Sequence, residues 1–331
     1  MNVMEFFSPM MTFGEELPVP LPALRPQIAK DVADKFVQRY FDTYNYLFPV
    51  LDESNFRHAY NLFYEDAGIA INTGQIACVL LVIALGSNTV EVFDAHLHAA
   101  FLLYHNLVAS PYLPTVQVFI LMTLCFMNAG KDGQAILSIA YASHIAQSMG
   151  LHRSVHIHRH PRELAFILKD YHLRNRIWWT CYSLDKKLSF ENGRPSAIYD
   201  DDCDAELPDS TQFSQSSIGL PDGSSFIFLS FFVELAKTVS LISRSLFNRE
   251  TSGVDNDELL RRIMTADRYL LAWRVSLPEE LQPDRELYIS SDDLLEVAST
   301  LLHCYETACE QEDIIFGCHL SRSLAIIDPF R

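Results

Sequence analysis

Glycine is scarce, 12 residues in 331. That is few for an all-β protein, which needs a tight turn at the end of every strand. Basic charge is scarce too. The 25 Lys and Arg stand against 42 Asp and Glu, a formal charge of −17. Such a surface repels phosphate backbones, so direct nucleic-acid binding by this chain is not expected, and the charge reads as a solubility device. No CxxC occurs among the seven cysteines (78, 125, 181, 203, 304, 309 and 318). Several sit inside apolar runs, where Cys acts as a small hydrophobe, which fits a reducing compartment. The start of the chain lacks a signal peptide's basic n-region and continuous apolar core. The longest pure apolar run, residues 76–85, is too short to span a bilayer. Dinucleotide, phosphate-loop, HExxH and GxSxG motifs are all missing.

What is present is helical periodicity. Proline at positions 9, 18, 20, 22 and 26 marks residues 1–27 as a mobile tail or linker. Apolar residues at 28, 32, 36, 37, 40, 41 and 44 follow 3–4 spacing to a stop at Pro49. Asp52 or Ser54 caps a second helix running to about Glu65. Residues 76–85 are apolar on every side, which marks a central buried helix. Helices are also expected over 90–107, 115–127 and 132–149, with Gly150 ending the last. Residues 151–162 read as a solvated, histidine-rich loop. Helical pattern returns at 174–190, 226–247, 257–273 and 292–310, while 316–331 resists placement. The fold class expected is all-α: a multi-helix array of mostly antiparallel helices with long loops. Residues 28–331 form one helical domain, and the polar Ser/Gly/Gln stretch 209–225 is where it would subdivide.

The stretch 174–208 organises the rest. On a helix, Ile177, Cys181, Leu184 and Leu188 make one apolar stripe, widened by Trp178 and Tyr182. Asp185 falls on that stripe. A buried carboxylate needs a cationic or N–H partner, and Arg194 or the amides of its loop are the candidates. Gly193 suits the helix end and Pro195 prevents the helix resuming. Trp179 points away from the stripe, toward another helix or a cavity.

Three constellations suggest chemistry. His152, His156, His158 and His160 cluster, but Arg153, Arg159 and Arg162 interleave positive charge that would repel a metal ion. Asp200, Asp202 and Asp204 match the first ligands of a calcium loop, yet Ala205 and Thr211 replace its required glycine and glutamate. The better role for these acids is to face free N–H groups at the start of a helical turn. Asp200-Asp201-x-x-Asp204 also matches the aspartate-rich motif of all-α terpene synthases and prenyltransferases, which hold magnesium and a diphosphate. The second motif such an enzyme needs is approached by Asn248, Thr251 and Asp255, with Asp in place of Glu and Gly253 inside the helix.

RIWWTCYSLD at 176–185, then Leu188-Ser189, Gly193-Arg194-Pro195, Ile198 and the acidic run 200–204 ending at Leu207-Pro208 resemble one signature. It is that of the fungal-specific transcription-factor regulatory domain, the middle homology region of fungal zinc-cluster factors. Lys186 stands where that family usually has arginine. Upstream, MGLHR at 149–153 and Phe36, Tyr40, Phe41, Phe48 and Pro49 are similar to its earlier helices, and LLHCY at 301–305 to a later one. The resemblance implies a nuclear transcription regulator without catalysis. It also implies that Arg176, Trp178, Trp179, Tyr182, Asp185, Gly193, Arg194, Pro195 and Asp202 are structural rather than catalytic, cofactor or metal residues. No cofactor is expected in this chain, because the family's zinc cluster has no counterpart among its cysteines. DNA would be reached only through that missing module. Protein partners or self-association and a small-molecule effector are expected, and no membrane. The Pro-rich start reads as an interdomain linker, so the chain is expected to be a fragment of a longer factor, or else a stand-alone regulator. The alternatives are a magnesium-dependent terpene-synthase-like enzyme and a metabolite-binding helical module with a closed apolar cavity near Trp179 or between the central helices.

Overall fold

The computed structural model describes residues 28–65, 71–154, 164–208, 218–219, 225–226, 228–247 and 256–277. The proline-rich start, the histidines beyond 154, residues 209–217, the 248–255 segment and everything after 277 lie outside them. So do the expected helix at 292–310 and the second magnesium motif.

The described residues are helical apart from a short antiparallel pairing of Ile218–Gly219 with Ser225–Phe226. The chain divides into two compact units. One comprises Met1–Asp185 and Ala197–Ser217, the other Lys186–Ser196 and Ile218–Arg331. Each is taken by itself.

In the first unit, α1 (Lys30–Asp42), α2 (Tyr44–Leu47), α3 (Glu53–Tyr64) and α4 (Thr73–Gly86) are followed by α5 (Val90–Phe101) and α6 (Tyr104–Ala109). Then come α7 (Leu113–Asn128) and α8 (Asp132–Ser148). Asp52 caps α3, its carboxylate accepting the Asn55 N–H. Helix α4 is the hub, packed against α1, α3, α5 and α7. Nearly every residue from Thr73 to Gly86 is buried, because a helix without a polar face has nothing to turn toward water. Asn72 and Gln75 close its N-terminus in a reciprocal capping box. Gly86 lets α1 and α4 approach closely: an added Cβ would stand 1.9 Å from the Phe36 carbonyl oxygen.

Several boundaries differ from the sequence reading: the first helix breaks at Thr43, the helix expected from 174 begins at Leu164, and two more changes have a cause in the local bonding. The helix expected over 90–107 breaks at Leu102–Leu103 without proline or glycine. The Leu103 N–H bonds to Ala100 O, a tighter i−3 bond that closes α5 early. Leu103 and Leu107 are both buried as a result. Pro114 does not interrupt α7 but sits inside its first turn, where its missing N–H costs nothing.

Helix α9 (Leu164–Glu191) runs through both units. At 1.5 Å per residue it is about 42 Å long. The second unit continues with α10 (Phe228–Phe247) and α11 (Asn256–Ser276), which pack together. Trp273 anchors them, its Nε1–H donating to Phe231 O at 3.0 Å.

Candidate functional site

From Ile177 to Lys186 every residue of α9 is buried. This exceeds the single stripe that the apolar spacing predicts. Thr180, Ser183 and Asp185 are as deeply covered as Trp178 and Leu184. Thr180 is tolerated because its hydroxyl donates to Arg176 O one turn back. The extra cover comes from the chain itself, which turns at the end of the helix and returns along it.

The turn is built at Gly193. Its φ of 60° is left-handed, the conformation that glycine takes without a Cβ clash. Gly193 N–H bonds to Phe190 O and Arg194 N–H to Ser189 O at 2.8 Å, the paired bonds of a Schellman end. Pro195 follows. In the same unit, the buried Lys186 ammonium donates to Ser196 Oγ at 2.9 Å.

The returning segment 197–206 is fastened turn by turn. Asp185 is 2% exposed, and its two carboxylate oxygens accept the N–H groups of Ala197 (3.0 Å) and Ile198 (3.2 Å). Of the two candidate partners, the loop amides take this role, while Arg194 is exposed. One turn earlier, Tyr182 OH donates to Asp200 Oδ1 at 3.0 Å. Trp178 Nε1–H donates to Cys203 Sγ at 3.2 Å. Asn175 Nδ2 and Trp179 Nε1 both donate to the Glu206 carbonyl oxygen, at 2.8 and 2.7 Å. Tyr171 OH reaches the Glu206 carboxylate at 3.0 Å. These helix residues fall within one broad face at 3.6 residues per turn, so six side chains read ten residues of antiparallel chain. The Trp179 ring also stands edge-on to Tyr182 at 5.2 Å. Arg176 is largely buried, with burial drawing its pKa down and Asp52 at the α3 cap opposing that.

A third strand of contacts comes from the end of α8. His152 O accepts the N–H groups of both Asp204 and Ala205 at 3.1 Å. Asp204 Oδ1 accepts the Ser154 N–H at 2.9 Å, and its other oxygen lies 3.7 Å from Arg153. The His152 ring is buried against Trp178, with centroids 5.7 Å apart. His152 is therefore core rather than part of a solvated loop.

The three aspartates do not converge. Asp200 faces Tyr182, Asp204 faces Ser154 and Arg153, and Asp202 is exposed within the 3₁₀ turn Asp200–Asp202. Asp200, Asp201 and Asp202 stand in the first turn of that segment, where acids were expected, though no side chain caps it. Among the described residues, no three His, Cys, Asp or Glu side chains are placed to hold a metal ion. What sequence reasoning missed is Asn175, Tyr171 and the Cys203 and Glu206 acceptors. The signal lay in donor-bearing side chains recurring at helical spacing.

The family model described as Fungal specific transcription factor domain matches residues 37–281. The chain belongs to this family. Relatives of this fungal-specific domain include an uncharacterised transcriptional regulatory protein of Schizosaccharomyces pombe, 26% identical over 77% of this chain and 34% of that protein. An ABC-transporter-regulating transcription factor of Aspergillus fumigatus is 27% identical over 82% and 31%. The lactose regulatory protein LAC9 of Kluyveromyces lactis is 29% identical over 51% and 19%. The chain spans roughly a third of the length of the first relatives it matches. No solved structure matches.

Among the described residues, Cys78, Cys125 and Cys181 are buried, and burial pushes their thiols up, Cys78 to about 12.

Burial draws the imidazoles of His152 and His96 below their ordinary value. At His152, Arg153 adds to this while Asp204 and Asp202 oppose it. Both residues bind protons more readily in the unfolded chain, so acid favours unfolding. Their contribution is complete above about pH 6.5 and is lost as pH falls below it. Thermal unfolding should show Tm decreasing between about pH 6.5 and 5, with a shallower fall in His152→Phe. An equal slope in that variant rules out the His152 contribution.

Proposed function

We propose that this chain is the regulatory part of a fungal transcription regulator acting in the nucleus, and that it senses or restrains through contacts rather than catalyses. The family match over residues 37–281 supports this most directly. The geometry adds support: Trp178, Trp179, Tyr182 and Asp185 of the signature are spent on fastening the 197–206 segment to α9. DNA would be reached through a zinc-cluster module outside these residues, with the −17 charge keeping this part off the phosphate backbone. Protein partners or self-association would then carry the output, with a small molecule as input. Among the described residues no helix is long and apolar enough to cross a membrane.

The terpene-synthase-like reading loses ground on the positions of Asp200 and Asp204, whose carboxylates hold protein donors in different directions. Fusion of the chain to a heterologous DNA-binding module tests the regulatory reading. Reporter transcription should change relative to the module alone, and Asp185→Ala should remove the change. No change with a stably expressed fusion would count against regulation. Magnesium-dependent turnover of a prenyl diphosphate, lost in Asp200→Asn, would establish the enzyme instead.

A further inference from the structure

Helices α10 and α11 of the second unit form an antiparallel hairpin fastened at both ends. Near one end Arg262 donates to Ser245 O at 3.1 Å, and near the other Trp273 donates to Phe231 O. Leu259, Ala266, Leu270, Trp273 and Leu277 supply the buried face of α11. A helix with one neighbour needs only one such face, yet α11 carries a second. Leu260, Met264, Leu271 and Val275 form a stripe about 130° around the helix from the first. They are 43, 54, 42 and 74% exposed. Arg261 and Arg268, both exposed, run along one border of the stripe, and Asp267 along the other. A single exposed leucine needs no explanation. A row of apolar side chains along about 22 Å of one helix marks a place where something docks.

The described residues stop at Leu277, at the end of α11, while the chain continues to Arg331. In the 292–310 stretch, outside the described residues, Leu294, Ala298, Leu301, Tyr305 and Ala308 recur at alternating steps of four and three. That is the seam spacing of a helix packed along another helix. As a helix this stretch would span about 28 Å, close to the length of α11, about 32 Å. The intervening residues 278–291 reach up to about 46 Å when extended. They can lay that helix along α11 in either direction.

Charge agrees. The 292–310 stretch holds acids at 292, 293, 296, 306 and 310 and no Lys or Arg. Helix α11 carries four arginines against three acids, on a chain of net charge −17. Arg261 and Arg268 beside the stripe therefore favour an acidic occupant. A second copy fits less well. An isologous antiparallel pair brings the middle of the stripe against itself, Arg268 beside Arg268.

We propose that residues 292–310 of the same chain dock as a helix along the Leu260–Val275 stripe of α11, turning the hairpin into a three-helix unit. The proposal does not rest on the regulatory reading.

Met264→Cys in the whole chain tests this. Maleimide should label position 264 about tenfold more slowly than position 265 in Thr265→Cys, which is exposed and off the stripe. A short bismaleimide should join the new thiol at 264 to Cys304 or Cys309 of the same chain, as read by mass spectrometry of a digest. Adding Leu301→Asp should restore fast labelling at 264, with light scattering still reporting the mass of one chain. Equal labelling at 264 and 265 would overturn the proposal. So would slow labelling that depends on protein concentration in a chain with the mass of two copies, which assigns the stripe to a dimer. Slow labelling unchanged by Leu301→Asp would assign it to another partner. Where Leu301→Asp does not fold, the cross-link decides alone, and its absence overturns the proposal.

Discussion

Asp185→Ala should lower Tm by on the order of 10 °C, or leave the chain insoluble. The carboxylate is 2% exposed and holds two main-chain N–H groups in the returning segment. Truncation leaves the amides of Ala197 and Ile198 in a dry site with nothing to bond. Hydrogen bonds to a charged group contribute about 1.5–3 kcal/mol each, and breaking a buried charged interaction typically costs roughly 3–5 kcal/mol in all. Each kcal/mol is worth about 2–4 °C in a chain of this size. Asp185→Asn keeps one acceptor oxygen and should fall between the wild type and the alanine variant. Glu206→Ala is the contrast. It loses only the exposed Tyr171 contact and keeps the main-chain acceptor, so it should cost under about 1 kcal/mol. Urea unfolding followed by tryptophan fluorescence would separate these cases. Similar midpoints for all of them would mean that the fastened segment contributes little to stability.

The second large effect is at Gly86. Alanine there would place its Cβ 1.9 Å from the Phe36 carbonyl oxygen and 2.7 Å from its carbon. The obstacle is main chain, not the end of a flexible side chain, so α1 must move away from the hub helix. Overpacking a core by one methyl usually costs about 1–3 kcal/mol, and this contact should lie at or above the upper end. Gly133→Ala provides the control on α8, since its Cβ would meet nothing within 4 Å. It should stabilise by up to about 1 kcal/mol through helix propensity. Thermal unfolding of the pair checks both signs. A Gly86→Ala variant as stable as the wild type would show that α1 is not held where the structure places it.

Much of this was legible from residue types alone. The 76–85 run has no polar face, so it had to be central, and it is. Gly150 and Gly193 stand where the periodicity stops, and both have left-handed φ. The buried Asp185 with a loop partner followed from one acid on an apolar stripe. What was not legible depended on distant chain. His152 reads as a loop residue because its neighbours are polar, and only Trp178 arriving from α9 makes it core. The break at Leu102–Leu103 has no local signal, since it answers to which leucines the core accepts. The aspartates at 200 and 204 look like a metal motif in one dimension. In three, each is claimed by a different element.

Glu206 receives Asn175 and Trp179 through its main-chain oxygen, and Asp185 receives Ala197 and Ile198 through their amides. Any residue can present the carbonyl, and any but proline the amides. The lock is therefore spelled mostly on the helix: at 197, 198 and 206 the opposite segment answers through main chain and may drift in composition, while Asp200 and Cys203 answer through side chains. An insertion or deletion between 197 and 206 should consequently be far less tolerated than any single replacement there.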